Sequence, residues 1–294
     1  MSVTPQAAAH PTTRPPVAFR GRIGRDRRSG HYAVPRRYRL HLSTACPQGL
    51  AIAVTHSLLG IGDTCPVTFL PAVPDCPDGH AALRPLYEAS AHHYQGPALA
   101  PVLSDDWSGR IVSTHAPDIM RDLDEYFGDG RAALYPRAAE AALRDVERLC
   151  ARDIDEAAQR AGRADAEPEE RAEALETLLA ALGELDRRLT GHDHVMGDQL
   201  TAADVVSWVA LVQLDTVHRH HLDAHAVHRV ADHPALWAHA RRLTAHPAFG
   251  AHLDLDGIAR RHHAGCRGLE AAGSAVQILD WAAHADGARP AHRP

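Results

Sequence analysis

Apolar and polar residues alternate through Tyr38-Arg39-Leu40-His41-Leu42, the period of two expected of a half-buried strand. A small-residue turn follows, then Cys46-Pro47, then an apolar run over 50–59 closed by Gly60. Proline just inside the start and glycine just past the end fit a helix of that length. Pro66-Val67-Thr68-Phe69-Leu70 reads as a second strand, and the Pro-, Asp- and His-rich residues 71–98 as a long excursion. Residues 101–103 and 110–113 form a hairpin around Asp105-Asp106-Trp107-Ser108-Gly109. The spacing then predicts a helix over about 117–126, with Ile119, Met120 and Leu123 on one face.

From about residue 136 the pattern turns helical. The clearest helix spans 168–189: Pro168 opens it, Glu169 and Glu170 follow, and Arg187 and Arg188 lie in its last turn. Leu175, Leu178, Leu179, Leu182, Leu185 and Leu189 make one apolar stripe. Another helix opens at Thr201, with Asp204 three residues on as in a capping box, and continues as a nearly unbroken apolar face through Val212. The expected fold class is an α/β thioredoxin-like N-terminal domain followed by an all-α domain. The boundaries are an irregular arm over 1–35 carrying Arg14, Arg20, Arg22, Arg25, Arg27 and Arg28, a thiol-binding domain over 36–130, a helical domain over 136–280 and a flexible tail over 281–294.

In the thioredoxin-like arrangement a cysteine at the first helix N-terminus is a recurrent active-site position. Cys46 falls there, where unpaired N–H groups and the helix dipole favour a nucleophilic thiolate. Cys46-Pro47-Gln48-Gly49 has no second cysteine two residues on, so an external thiol must resolve any mixed disulfide. Cys65 and Cys76 precede prolines in a strand and a loop and read as incidental, Cys150 as packing, and Cys266 as a residue near the pocket.

Composition narrows the chemistry. The five cysteines form neither a disulfide framework nor a zinc pattern, and the 23 histidines show no ligand triplet of typical spacing, so no metal is expected. A net charge of -6 gives no reason to expect nucleic acid or an anionic membrane. No apolar run approaches the roughly 18 residues that span a bilayer, and the chain reads as cytoplasmic. There is no Lys, which excludes Schiff-base and P-loop lysine chemistry. The joint absence of Lys and Asn points to a GC-rich gene, as in the high-GC actinobacteria. Arg36, Arg37 and Arg39 read as a solvated edge before the first strand.

The ordered set of segments resembles the glutathione transferase fold, and within it the Xi class, the glutathionyl-hydroquinone reductases. The segments are the strand with Ala-Cys-Pro at 37–47, Ala-Pro-Val-Leu at 100–103, Gly-x-Ile-Val-Ser at 109–113, Gly-Asp-Gln-Leu-Thr-x-Ala-Asp at 197–204 and Leu-Asp-x-Val at 214–217. The resemblance covers roughly residues 18 to 280. It implies that Cys46 takes glutathione from a quinone-type conjugate as a mixed disulfide, which a second thiol releases. It further implies a cis bond before Pro101, pairing of the thiol's backbone with Ala100, and homodimerisation. Pro47 and Gln48 adjoin the nucleophile; Ser113, Thr114 and His115 line the far end of the low-molecular-weight thiol.

Departures from the family pattern surround Cys46. The family has Trp, Ala and a downstream Arg after Cys-Pro, where this chain has Gln48, Gly49 and Ala51. It has a Glu-Ser pair where this chain has His115-Ala116. Losing that carboxylate removes the partner of the glutathione ammonium, worth roughly 1.5–3 kcal/mol. Family tyrosines fall at His218, His262, His263 and about Gln159, so the pocket for the small-molecule electrophile, which the resemblance implies is quinone-like, carries groups of a type that titrates near neutral pH. Mycothiol, the thiol of many actinobacteria, has no γ-glutamyl ammonium and suits a site without the clamp. Two alternatives are conjugation or isomerisation of a natural-product intermediate, and a non-catalytic binding protein on the same scaffold.

Overall fold

The computed structural model describes residues 18–128, 130, 133–266 and 277–286; Arg14 and the far end of the expected tail lie outside them. Four strands, β1 (Tyr38–Leu42), β2 (Val67–Phe69), β3 (Val102–Asp105) and β4 (Arg110–Ser113), form one sheet in the order β2-β1-β3-β4. β2 runs parallel to β1, while β3 and β4 are antiparallel to their neighbours. Tyr38, Leu40 and Leu42 are buried, and Arg39 and His41 are half-exposed, as the alternation requires.

Helix α1 (Pro47–Leu59) follows β1 and is buried along most of its length, because it contacts the sheet domain on one side and the helical domain on the other. That explains its unbroken apolar run, since a helix covered all round needs no polar face. It ends at Gly60, whose φ of 64° is the left-handed cap conformation glycine adopts without penalty.

The 71–98 excursion contains α2 (Arg84–Ser90), which the sequence does not reveal: its only buried residue is Tyr87, so no apolar stripe exists. Helix α3 (Ala116–Phe127) closes the first half. Residues 19–21 lie along β4, with Gly21 N donating to Val112 O at 2.8 Å and Thr114 N to Phe19 O at 3.0 Å. Arg22 and the Ile23 amide then bind the Asp122 carboxylate on α3.

Arg37 is not on a solvated edge. Its guanidinium makes a two-pronged bond to buried Asp105, at 3.1 and 2.7 Å, between the rings of Tyr32 and Trp107. Asp105 also caps its own turn by accepting from Trp107 N, so a cation is drawn inward to neutralise a carboxylate the hairpin needs.

The second half comprises α4 (Glu140–Arg148), a π-helical stretch (Leu149–Glu156), α5 (Ala157–Ala161), α6 (Pro168–Leu189), α7 (Ala202–Thr216), a 3-10 segment (His218–His221), α8 (Ala224–Ala231), α9 (Pro234–Ala245), α10 (Pro247–Gly250), α11 (Leu255–Cys266) and α12 (Trp281–Asp286). The capping box at Thr201 and Asp204 is formed, and α7 is buried almost throughout. Asp215, near the end of α7, accepts from Ile278 N, Leu279 N and Trp281 Nε1 and pairs with Arg219. The Leu-Asp-x-Val segment therefore ties the C-terminal stretch to the core. Among the described residues, no helix is long and apolar enough to cross a membrane.

Candidate active site

Cys46 is the N-cap of α1 and makes no side-chain capping bond. Its buried thiol instead donates to Gln48 Oε1 at 2.9 Å. Gly49 lets the helix start sit this close to the preceding turn: a Cβ there would lie 2.2 Å from the Ser43 carbonyl oxygen. The same turn is closed by Cys46 N donating to Ser43 O. The departure from Ala to Gly at this position thus has a local steric reason.

The Ala100–Pro101 peptide is cis, as the resemblance implies. The register pairs His41 with Val102, so Pro101 lies beside the end of β1 that leads into Cys46. Beyond β4, Ser113 Oγ accepts from His115 N, and His115 is the N-cap of α3. His115 Nδ1 also lies 3.0 Å from Asp118 Oδ2, and Arg20 Nε binds the same carboxylate at 2.7 Å. Burial pushes the Asp118 carboxyl upward, but Arg20, His115 and Arg22 outweigh it and hold it below the ordinary range. The acid beside His115 is therefore already matched by Arg20 and Arg22.

The N-termini of α1 and α3 face a common cleft of about 180 Å³, lined there by Pro47, Gln48, Ala116 and Pro117. Cys46 is not itself among the lining residues but bonds to Gln48, which is. Cys150 and Asp155 of the π-helical stretch, with Val209 and Gln213 of α7, form the opposite wall. Burial raises the Cys150 thiol to about 12, consistent with a packing role. The Gln213 Nε2 group is buried with no hydrogen-bond partner among the described residues, which leaves a donor for a ligand in the cleft.

Asp155 also connects the cleft to a larger cavity. Its Oδ1 lies 2.8 Å from His218 Nε2, and its Oδ2 accepts from Gln159 Nε2 at 3.0 Å. His218, Gln159 and His262 line this neighbouring cavity of about 600 Å³. Three of the positions where the family carries tyrosines thus converge, two of them on one carboxylate. His263 does not join them. As the residue after His262 it is rotated about 100° round the helix, is exposed, and binds Ala259 O through Nδ1 at 2.6 Å.

Asp155, Gln213 and the π-helical geometry were not evident from the sequence. The buried positions Leu143, Val146, Cys150, Ile154 and Ala157 are spaced as in an ordinary α-helix, so the wider turn leaves no periodic trace.

Comparisons with known proteins bear on the fold that carries this site. Residues 168–242 match the family model of the glutathione S-transferase C-terminal domain. The chain is 28% identical over 245 residues to glutathionyl-hydroquinone reductase PcpF of Sphingobium chlorophenolicum, covering 77% of this chain and 78% of that protein. It is 27% identical over 253 residues to glutathionyl-hydroquinone reductase YqjG of Escherichia coli (strain K12), covering 80% and 76%. A solved Xi-class glutathione transferase from Natrialba magadii superposes with a TM-score of 0.76 at 24% identity, over 90% of this chain and 87% of that one. The chain thus has the glutathione transferase fold, carries a match to the glutathione S-transferase C-terminal domain over residues 168–242, and is similar to the glutathionyl-hydroquinone reductases of the Xi class.

Proposed function

We propose that this chain is a thiol-dependent reductase acting on thiol conjugates of quinone-type compounds, with Cys46 as nucleophile. The observation that carries this reading is the buried Cys46 thiol at the start of α1, beside a cleft that its partner Gln48 lines. Cys46 attacks the conjugate's sulfur. A sulfur–sulfur bond forms, the carbon–sulfur bond breaks, and the ring carbon takes the electron pair and a proton to give the free hydroquinone. A second thiol molecule then attacks the mixed disulfide, leaving as a disulfide of the two small thiols and restoring Cys46. Ala100 and Pro101 hold the thiol's backbone, and Ser113, Thr114 and His115 its far end. Gln213 donates to a ring oxygen, and His218, oriented by Asp155, handles the proton. His262 lines the outer part of the electrophile site.

The thiol is mycothiol rather than glutathione in this reading. Supporting it, His115 and Ala116 replace the family's acidic clamp, and Asp118 is already paired with Arg20 and Arg22. Among the described residues, the acid beside His115 is thus already paired, and Glu147, which lines the same cleft, is paired with Arg121. Mycothiol and glutathione conjugates of one hydroquinone, assayed in parallel, separate the two. At least tenfold faster release from mycothiol is expected; equal inactivity or a preference for glutathione would overturn the assignment. Homodimerisation belongs to the proposal through the resemblance. A second reading, conjugation or isomerisation on the same scaffold, is favoured only by an imidazole at His218 where the family has a phenol.

A further inference from the structure

We propose that His221, His262 and Cys266 form a zinc site on the wall of the larger cavity, which shares His262 with the electrophile site proposed above but does not use Cys46. His262 and Cys266 are four residues apart on α11 and so share one helix face. The 3-10 segment after α7 brings His221 against that face. Cys266 Sγ lies 3.2 Å from His262 Nδ1 and 3.6 Å from His221 Nε2. One ligand atom from each residue falls within 4.8 Å of the other two.

The two sulfur–nitrogen separations match the ion. Ligands held tetrahedrally at 2.0–2.3 Å from zinc are roughly 3.5 Å from one another. Two imidazoles and a thiolate are also a borderline-soft donor set of the kind zinc takes. All three residues are half-buried and line the cavity of about 600 Å³, so a fourth coordination position opens toward it. His220 stacks on the His262 ring at 5.8 Å and helps to fix its orientation. Three protein ligands with an open fourth position is the arrangement of catalytic rather than structural zinc sites.

A second convergence of the same kind, His194, Asp204 and His239, differs in a decisive way. The Asp204 oxygens already accept from Val195 N and Thr201 N to close the α7 cap, so that carboxylate is committed to the fold. No motif spacing announces the His221 site, because its ligands come from two elements far apart in the chain.

The test is titration of the reduced full-length protein with cobalt(II), followed by displacement with zinc. One equivalent is expected, with a thiolate-to-cobalt charge-transfer band that Cys46→Ala retains and Cys266→Ser abolishes. Affinity should fall more than roughly a hundred-fold in His262→Ala and in His221→Ala, since even outer-shell partners of such sites are worth 10- to 100-fold. Circular dichroism of each variant establishes that it is folded. Zinc should also block alkylation of Cys266, mapped by mass spectrometry, while leaving Cys46 reactive. Absence of the band, its survival in Cys266→Ser, or its loss in Cys46→Ala would overturn the proposal.

Discussion

Asp155 Oδ1 lies 2.8 Å from His218 Nε2 at the junction of the cleft and the larger cavity. An ionised carboxylate only accepts, so Nε2 donates in this pair and the ring's orientation is fixed. Asp155 is thus a positioning residue for an imidazole that stands where the family has a tyrosine. Asp155→Asn should lower kcat by about ten- to a hundred-fold, below the roughly 100- to 10,000-fold that a general acid or base itself supplies. KM should change little, and the single-turnover adduct at Cys46 should still form. Steady-state and single-turnover assays of the same variant check both halves.

The Cys46 thiol and Gln48 Oε1 are 2.9 Å apart. A carboxamide serves both protonation states, because its oxygen accepts from a thiol and its NH₂, after a flip, donates to a thiolate. Replacing Gln48 by Leu removes one hydrogen bond of about 1 kcal/mol. The rate of Cys46 alkylation by iodoacetamide should fall by about fivefold, with a loss of unfolding stability of no more than about 1 kcal/mol.

The Arg37–Asp105 pair is a stability feature. Arg37→Ala would leave the Asp105 carboxylate buried without its guanidinium, at a cost of about 3–5 kcal/mol. The double substitution Arg37→Met with Asp105→Leu should lose much less, since it removes both charges together. Denaturant unfolding of the two variants measures the difference.

The sheet, α1, α3, α6 and the start of α7 could be read from the chain because each is shaped by a one-sided or all-round apolar environment that leaves a period. Cys46 was legible for the same reason, as the residue between a strand pattern and a helix pattern. The Arg37 pair was not, because its partner Asp105 sits in a hairpin far along the chain and nothing local distinguishes a buried arginine from a solvated one. Asp155 and Gln213 are ordinary polar residues in helical sequence, and only the crossing of the π-helical stretch with α7 gives them a cleft to face.

Acid should destabilise the protein through buried imidazoles. Burial lowers His239 to about 4 from an ordinary 6.5, against the attraction of Asp204. Between those values the unfolded chain binds a proton that the folded chain refuses. Stability is therefore full above about pH 6.5 and falls as the pH drops, by at most about 3 kcal/mol for this group near pH 4. His41, His56, His80 and His252 are shifted in the same direction by burial. His194, raised by its contact with Asp204, offsets part of the loss. Melting temperature measured from pH 8 to pH 4.5 should fall steadily below pH 6.5, and His239→Gln should flatten the slope.

The central claim is that Cys46 takes up the thiol of a conjugate as a mixed disulfide. The enzyme is mixed with excess hydroquinone–thiol conjugate in the absence of free thiol, quenched in acid, digested without reductant and examined by mass spectrometry. The account predicts one thiol adduct per chain, on the Cys46 peptide, with release of one equivalent of hydroquinone, and neither product from Cys46→Ala. Hydroquinone release undiminished in Cys46→Ala, or an adduct on another cysteine with Cys46 unmodified, would contradict it.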